Sequence, residues 1–523
     1  MKSVNSSEME EKMMEEENKV LTPRTYMTTE DIESKERKLI KENYQFFGLA
    51  SILYAVFYTF CVYKNADGIT LPLLQVGTIS YYIIFLRKLG FELKKGSYFY
   101  MVSILLLGLS IFLTDDWKIN ILSKTAIFVL LVIFILHQLY EDSKWTIGKY
   151  LASFAVLGLE SIAAIPFPFA DAARAVKEKQ KKEDGKIKYI LIGLGIAVPL
   201  TLLIMALLLS ADAIFANIFA DMIDGLKVFQ NIFSICLTAL FAYIGIYCFI
   251  NGAAKKNIKE EVKDQRILEP LIANTFLGVI SVVYVMFCAV QIMGLFAASM
   301  KLPEHYSYAQ YAREGFFQLL FVCAINILIV LCCMAFFKES KALKGLLTLI
   351  SVCTYIMVAS SVYRMLLYVQ IYHFTFLRLF VLWSLLVIAL LMAGIMVCIY
   401  RESFPLFRYC LTVVTAAYIV FAFSHPDYLI ASYNINAIEK AEKEEFSMDY
   451  GGVRDFYYLT SLSADAAKAL ASYEGETLTS YGEDEDSIRA YFNKIKEKSE
   501  KLTPRTFNIS RYIAGNIAKE YLK

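Results

Sequence analysis

Few ionisable side chains interrupt the long apolar stretches of this chain, and Arg364 is the clearest of them. It lies among Ser360, Ser361, Tyr363 and Tyr368 in an otherwise apolar stretch. Because a charge at the centre of a bilayer costs about 2.5–3.5 kcal/mol on insertion scales, such a residue needs a partner or a role. Arg364 could face a cavity as an anion-binding or gating cation. The alternative is a cation that snorkels to the membrane interface or pairs with another side chain.

Polar and charged residues also collect beside the ends of the apolar stretches. Asp212 follows one stretch, Arg378 opens another, and Asp427 and Asn434 follow the last of them. Charges of both signs at one membrane boundary predict either an ion-paired belt that docks the C-terminal region or a site where a ligand binds or enters. Both interpretations stay open. The candidate ligand or docking cluster comprises Tyr308, Tyr311, Arg313, Glu314, Arg364, Arg378, Asp212, Asp427 and Asn434.

Histidines and cysteines are placed unfavourably for a metal centre. His305, His373 and His425 would have to converge from three separate loops, and no HxxxH or HExxH spacing occurs. All ten cysteines lie inside apolar segments, which is typical of small buried hydrophobes. We therefore expect no metal site, no disulfide framework and no cofactor.

Standard catalytic motifs are missing from the sequence. It contains no P-loop, no GxSxG, no GxGxxG that opens a βαβ unit and no set of kinase motifs. Membrane enzymes often lack such motifs, so their absence lowers the expectation of an enzyme without excluding one.

The composition indicates a membrane protein. Of 523 residues, 57% are hydrophobic and 20% are charged, and the mean hydropathy is +0.49. A soluble domain contains about 45–50% apolar residues and about a quarter charged ones. The net charge of +2 provides no strong field to attract nucleic acid, so the expected partner is the lipid bilayer.

About eleven stretches are long and apolar enough to cross a bilayer, since a 30 Å hydrocarbon core requires about 20 residues per helix. The predicted spans are 44–63, 68–86, 98–113, 121–140, 188–210, 228–250, 271–294, 316–337, 345–371, 376–399 and 406–424. The sequence therefore predicts an all-α, polytopic membrane protein with a small C-terminal helical domain outside the membrane.

The connectors between these stretches are alternately rich and poor in lysine and arginine. The connector 251–270, for example, holds Lys255, Lys256, Lys259, Lys263 and Arg266. Because basic loops remain in the cytoplasm, we expect a cytoplasmic N-terminus and, after an odd number of crossings, an extracytoplasmic C-terminus.

Residues 150–169 are also apolar, but they contain Glu160, Pro166 and Pro168 and precede a strongly basic stretch. A crossing here would place those basic residues outside, so we interpret the segment as interfacial or re-entrant. Residues 211–226 have an amphipathic helical pattern that predicts a surface helix.

The predicted organisation has five parts. They are a charged cytoplasmic tail (1–43), a four-helix membrane part (44–140), a cytoplasmic loop with the interfacial or re-entrant segment (141–187), a seven-helix membrane core (188–424) and an extracytoplasmic helical domain (425–523).

Several short blocks resemble a bacterial family of polytopic membrane proteins, domain of unknown function 4173, whose sister group is numbered 4153. They are GIAVPLTLLIMALLLSADAIF (195–215), LPEHYSYAQYAREGFFQL (302–319), SSVYRMLLYVQIYHFTFLRL (360–379), HPDYLIASYNI (425–435) and YLTSLSADAAKAL (458–470). The chain departs from the family pattern at His425, where Asn is expected, at His373, where Gly is usual, and at Lys468, where Pro is usual. The resemblance implies a bacterial plasma-membrane protein and brings no established activity or cofactor.

These observations favour a non-enzymatic sensor or regulator whose outer domain docks on the helix bundle, with a protein partner or small-molecule ligand that the sequence does not identify. The alternative is a secondary transporter or channel for a small solute, as Arg364 and the mid-span Pro199 suggest. A membrane-embedded transferase is a third class, and Asp212 and Glu314 would be its only candidate carboxylates.

Overall fold

The computed structural model describes residues 33–65, 67–179, 227–261, 264, 266–296, 316–443, 456–473 and 482–523, together with 193, 197, 200–201, 204–205 and 207–215. Throughout these residues the regular structure is helical, and the sole β-type pairing among them is an isolated bridge between Leu268 and Phe337. The predicted all-α class is confirmed.

We number the helices in chain order. They are α1 (Lys35–Glu42), α2 (Tyr44–Val62), α3 (Thr70–Lys88), α4 (Ser97–Leu113), α5 (Trp117–Leu139), α6 (Ile147–Ala163), α7 (Phe167–Lys179), α8 (Lys227–Ala254), α9 (Pro270–Phe296), α10 (Phe316–Phe336), α11 (Lys341–Tyr372), α12 (Phe376–Tyr400), α13 (Leu406–Phe423), α14 (Pro426–Lys443), α15 (Phe456–Ser461), α16 (Ala467–Ala471), α17 (Gly482–Glu500) and α18 (Ile509–Tyr521).

Eight of the described helices, namely α2, α5 and α8 to α13, contain segments long and apolar enough to cross a bilayer. The predicted span 98–113 forms the shorter apolar helix α4, and 68–86 corresponds to α3. Most of 188–210 lies outside the described residues, as does most of the predicted amphipathic helix 211–226. The chain is a multi-pass membrane protein, whereas the count of about eleven spans stays a prediction.

Polar residues define where several helices begin. Asp116 precedes α5, and its Oδ1 accepts a hydrogen bond of 2.9 Å from the backbone N of Lys118. Ser340 caps α11 through a 3.1 Å bond from the backbone N of Leu343. Such caps satisfy backbone donors that have no partner inside the helix.

The connectors gather on two opposite ends of the bundle. On one end, which we call the basic face, Arg266 pairs with Glu339 at 2.7 Å and Glu402 at 3.4 Å, and Lys256 pairs with Glu36 at 3.1 Å. Arg408 and Asp142 lie on the same face, with 3.1 Å between their nitrogen and oxygen atoms. The basic-rich connectors of the sequence thus meet one another.

The other end, the domain face, carries the C-terminal helices α14 to α18. These helices have their own apolar core, in which Ile430, Leu470 and Phe492 are at most 1% exposed. The turn between α11 and α12 contacts this core through Phe374 and Phe376. The C-terminal helices therefore form a small domain with a core separate from those of the bundle.

The segment predicted to be interfacial or re-entrant forms α6 and α7, which are bent by 48° at the break between them. Asp171 on α7 binds Arg37 on α1 through two hydrogen bonds of 2.8 and 2.9 Å, and both side chains are buried. The Tyr247 hydroxyl of α8 donates to the same carboxylate at 2.8 Å. This ion pair joins the start of the described chain to α7 and α8.

Candidate docking site and membrane cavity

Three of the nine residues of the predicted cluster lie around the α11–α12 turn on the domain face. Asn434 forms two hydrogen bonds with the backbone of Phe374. Its Nδ2 donates to the carbonyl at 2.9 Å, and its Oδ1 accepts from the N–H at 2.8 Å. Arg378 donates to the carbonyls of Tyr372 and His373, and its guanidinium lies 4.3 Å from the ring centre of Tyr368. Arg378 therefore stabilises the turn from within, and Asn434 attaches the turn to the C-terminal domain.

Asp427 is the third of these residues. Its Oδ1 accepts a 3.0 Å bond from Lys118 on α5, and its Oδ2 accepts a 2.9 Å bond from the backbone N of Ser463. The Lys118 ammonium also lies 4.3 Å from the ring centre of Phe376. Asp427 therefore connects the bundle to the interior of the C-terminal domain.

The remaining predicted residues are elsewhere. Arg364 donates to Gln291 Oε1 at 3.1 Å, and that oxygen also accepts from Ser360 at 2.5 Å. Asp212 caps its own chain, because Oδ1 accepts from the backbone N of Ile214 at 2.7 Å. Tyr308, Tyr311, Arg313 and Glu314 lie outside the described residues.

Asp465, which the sequence analysis did not single out, lies at the centre of the contact between domain and bundle. Its carboxylate accepts from the hydroxyls of Thr114 and Ser510, from the backbone N of Asp115 at 3.0 Å, and lies 3.3 Å from His425 Nδ1. Burial opposes its ionisation, but these hydrogen bonds outweigh burial and lower the pKa of Asp465. The same contact raises the pKa of His425, although burial opposes that shift.

Arg511 of α18 supplies the positive charge of this contact. Its terminal nitrogens bind both carboxylate oxygens of Asp67 at 3.0 and 2.5 Å, and its Nε binds Asp115 Oδ1 at 2.5 Å. The other oxygen of Asp115 accepts from the backbone N of Ala464 at 3.3 Å. Such two-point pairing fixes geometry as well as charge.

Asn508 adds a neutral contact between the loop ahead of α18 and the bundle. Its Nδ2 donates to the carbonyls of Asp67, Ile111 and Thr114 at 3.1, 3.3 and 3.1 Å, and the residue is fully buried. The loop approaches the bundle closely at Gly68, where an added Cβ would lie 2.5 Å from the carbonyl oxygen of Arg505. We call the whole contact the polar seam, comprising Asp67, Gly68, Thr114, Asp115, Asp116, Lys118, His425, Asp427, Asp465, Asn508, Ser510 and Arg511.

Asp116 lies at the edge of the seam with a fully buried side chain. Burial and the nearby Asp427 carboxylate raise its pKa, while Lys118 lowers it, and the result is a pKa of about 7. Its Oδ2 has no hydrogen-bond partner among the described residues. A carboxyl group in this environment changes its charge near neutral pH.

A cavity of about 800 Å³ lies beside the seam, between α2, α3 and α5. Tyr54, Gln75 and Thr78 contribute polar groups to its wall, and Thr506 and Arg511 cover it from the C-terminal domain. Lys124 of α5 also lines the cavity, where Asp67 is the described carboxylate that acts on its charge. Lys124 is absent from the predicted cluster, although it interrupts an apolar stretch just as Arg364 does.

Metal chemistry receives no support from the geometry. Across the part of the chain that the structure describes, no three His, Cys, Asp or Glu side chains form a group that could hold a metal ion.

Comparison with known proteins identifies one family. The model of a domain of unknown function, DUF4153, matches residues 101–473, which is more than half of the chain. This is the group that the sequence analysis treated as the sister of 4173, and a match to 4173 itself is not shown. No curated protein and no solved structure matches the chain significantly. From its match over residues 101–473, we conclude that the chain is a multi-pass membrane protein of the DUF4153 family.

Proposed function

We propose that this chain is a non-enzymatic membrane sensor or regulator, whose C-terminal domain binds the bundle reversibly and whose release is the signal. The observation that carries the proposal is the polar seam. A domain with its own apolar core is attached to the bundle through carboxylates, a guanidinium and amides, beside the aromatic contacts of Phe374 and Phe376.

A polar seam favours reversible attachment for a physical reason. Groups such as Arg511 and Asp67 recover hydrogen bonds from water when they separate, so opening costs less than exposing an equal area of apolar core. Interfaces between domains that are small and polar permit relative movement. The separate core allows the domain to stay folded after release.

Basic side chains support a cytoplasmic position for the opposite end of the bundle. Arg266, Lys256 and Arg408 all lie on the basic face, as the positive-inside rule requires of cytoplasmic connectors. The C-terminal domain would then detect a condition or partner outside the cytoplasm.

Gly68→Ala tests the attachment directly, because the added methyl group would collide with the backbone of Arg505 and Thr506, at 2.5 and 2.7 Å. Forcing such a contact costs about 1–3 kcal/mol, which increases the released population by about 5- to 150-fold. We expect trypsin to cleave α17 and α18 faster by that factor in the detergent-solubilised full chain. Gly148→Ala is the matched control, because nothing lies within 4 Å of its added Cβ.

The proposal fails if trypsin cleaves α17 and α18 at the same rate in the Gly68→Ala variant and in the unaltered chain. It also fails if Gly148→Ala accelerates cleavage as much as Gly68→Ala does.

A secondary transporter is the second candidate, and the Arg364–Gln291 contact favours it. The Arg364 guanidinium lies on α11 and donates to Gln291 on α9, so a charged group joins two helices of the bundle. A solute flux in proteoliposomes that disappears in Arg364→Ala and persists in Arg489→Ala would support transport. Absence of flux over a broad panel of anionic solutes would remove this candidate.

A further inference from the structure

The cavity beside the seam is lined by a lysine near the domain face and by apolar side chains deeper in the bundle. This arrangement is complementary to an amphiphile, which has a charged head and an apolar tail. Lys124 is followed on α5 by Ile127, Phe128 and Leu131, and all four residues line the cavity. Residues spaced by three, four and seven positions share one face of a helix. A positive charge thus lies nearer the domain face, and apolar side chains continue from it towards the membrane centre.

The depth of Lys124 suits a lipid rather than a soluble anion. Trp117 opens α5 and is 67% exposed, as is typical of an aromatic residue at a membrane interface. Lys124 lies seven residues further along α5, or about 10 Å deeper at 1.5 Å per residue. A lysine side chain at this depth reaches back towards the interface, where a lipid phosphate lies, while its stem stays among apolar groups. Phe128 is 58% exposed, so the wall of the cavity opens at its side.

More basic than acidic side chains line the cavity. Lys64, Lys124 and Arg511 face one carboxylate, Asp67, and both oxygens of that carboxylate bind Arg511. Lys64 donates to the neutral amide of Asn231 at 2.7 Å. Asp67 is the described carboxylate that acts on Lys124, but both of its oxygens already bind Arg511, so a bound anion would supply Lys124 with a counterion.

We propose that this cavity binds an anionic phospholipid, with the head-group phosphate on Lys124 and an acyl chain along Ile127, Phe128 and Leu131. Thr506 and Arg511 cover the cavity from the C-terminal domain, so the bound lipid holds that domain in its attached state. The inference deepens the proposed function and rests on it for this coupling, because it names the ligand class of the sensor.

Native mass spectrometry of the full chain in neutral detergent tests the site, with phosphatidylglycerol, phosphatidylcholine and inorganic phosphate as probes. We expect phosphatidylglycerol to bind with a stoichiometry near one, and Lys124→Met to weaken it by about tenfold or more, as loss of one charge-assisted hydrogen bond requires. Lys124→Arg retains the charge and should retain binding. Lys519→Met removes an exposed lysine of α18 and should have no effect.

Equal binding of phosphatidylglycerol by Lys124→Met and the unaltered chain would overturn the inference. Equal binding of phosphatidylcholine, or displacement of the lipid by millimolar inorganic phosphate, would also overturn it. Failure of the proposed function has a different signature, namely unchanged trypsin cleavage in Gly68→Ala, which is measured without added lipid.

Discussion

Arg511 and Asp67 are separated by 444 positions in the sequence, and their side chains form a two-point ion pair with nitrogen–oxygen distances of 3.0 and 2.5 Å. The pair joins the last helix of the chain to the connector between α2 and α3. Because Arg511 also binds Asp115, one guanidinium pairs with two carboxylates from two connectors of the bundle. These bonds hold the C-terminal domain at one position on the bundle.

Replacement of Arg511 by methionine should weaken the attachment of the domain. The side chains of Arg511 and Asp67 are 23% and 11% exposed. We expect a cost of about 2 kcal/mol, between the values for surface and fully buried pairs, because two carboxylates lose their partner. Hydrogen exchange of α18 in the solubilised protein would report the loss as roughly thirtyfold faster exchange.

The control for this change is Arg489→Met, since Arg489 is an exposed arginine of α17 in the same domain. Equal exchange rates in the two variants would show that the Arg511 pairs contribute nothing specific to the attachment.

Asp116 should make the stability of the seam depend on pH. Its pKa is about 7 in the folded chain and near 3.9 for an exposed aspartate, so the folded state binds more protons between these values. The free energy of unfolding therefore falls as pH rises from about 4 to 7. Asp116→Asn stays neutral and still caps α5, so it should remove this slope and stabilise the chain at pH 8, by up to about 4 kcal/mol.

Thermal unfolding of the solubilised protein at several pH values measures this effect. Asp486→Asn provides the control, because Asp486 is exposed on α17. If the unfolding temperature of Asp116→Asn depends on pH as it does in the unaltered chain, the Asp116 carboxyl does not have the raised pKa. His425 acts in the same direction. Because its pKa is raised in the folded chain, its protonated form stabilises the fold at acidic pH, and this stabilisation is lost as the pH rises through the folded-state pKa.

The sequence predicted the helical class correctly, because apolar length is a local signal. The side of the membrane on which each connector lies stays a prediction from charge asymmetry. The sequence also identified Asp427 and Asn434, which flank the last span and contact the bundle. Asp465, Asn508 and Arg511 were missed because their partners come from connectors about 350 to 440 positions away. A single polar residue in a polar tail carries no sequence signal of such a distant contact.

Two departures from the resemblance have a backbone explanation. His425, where Asn was expected, has φ of 50°, and His373, where Gly is usual, has φ of 60°. Asn and Gly are the residues that adopt positive φ most readily. Both turns of this chain thus have a backbone conformation that favours Asn or Gly over His.

His373→Gly should stabilise the chain. With φ of 60° and ψ of −179°, His373 occupies a region that is essentially restricted to glycine and costs about 1–3 kcal/mol for other residues. Both ring nitrogens are buried without hydrogen-bond partners among the described residues, so little is lost with the ring. His373→Ala separates the two effects, because it removes the ring but keeps the Cβ. A higher unfolding temperature in the glycine variant than in the alanine variant is the expected result, and equal temperatures would contradict backbone strain.

Both ends of α6 should lie on the basic face. Near its start, the Tyr150 hydroxyl donates to Asp142, which also binds Arg408 at 3.1 Å. Near the end of α6, Glu160 accepts from Lys255 at 2.7 Å. These partners belong to connectors that are expected to be cytoplasmic, so the segment should enter and leave on one side.

Epitope tags test this topology in intact cells and after permeabilisation. A tag inserted after Glu183 should be labelled only after permeabilisation, like a tag inserted after Lys95, whereas a tag after Lys523 should be labelled in intact cells. Labelling of the Glu183 tag in intact cells would make the segment a crossing. Each later connector would then exchange sides, and the C-terminal domain would lie in the cytoplasm.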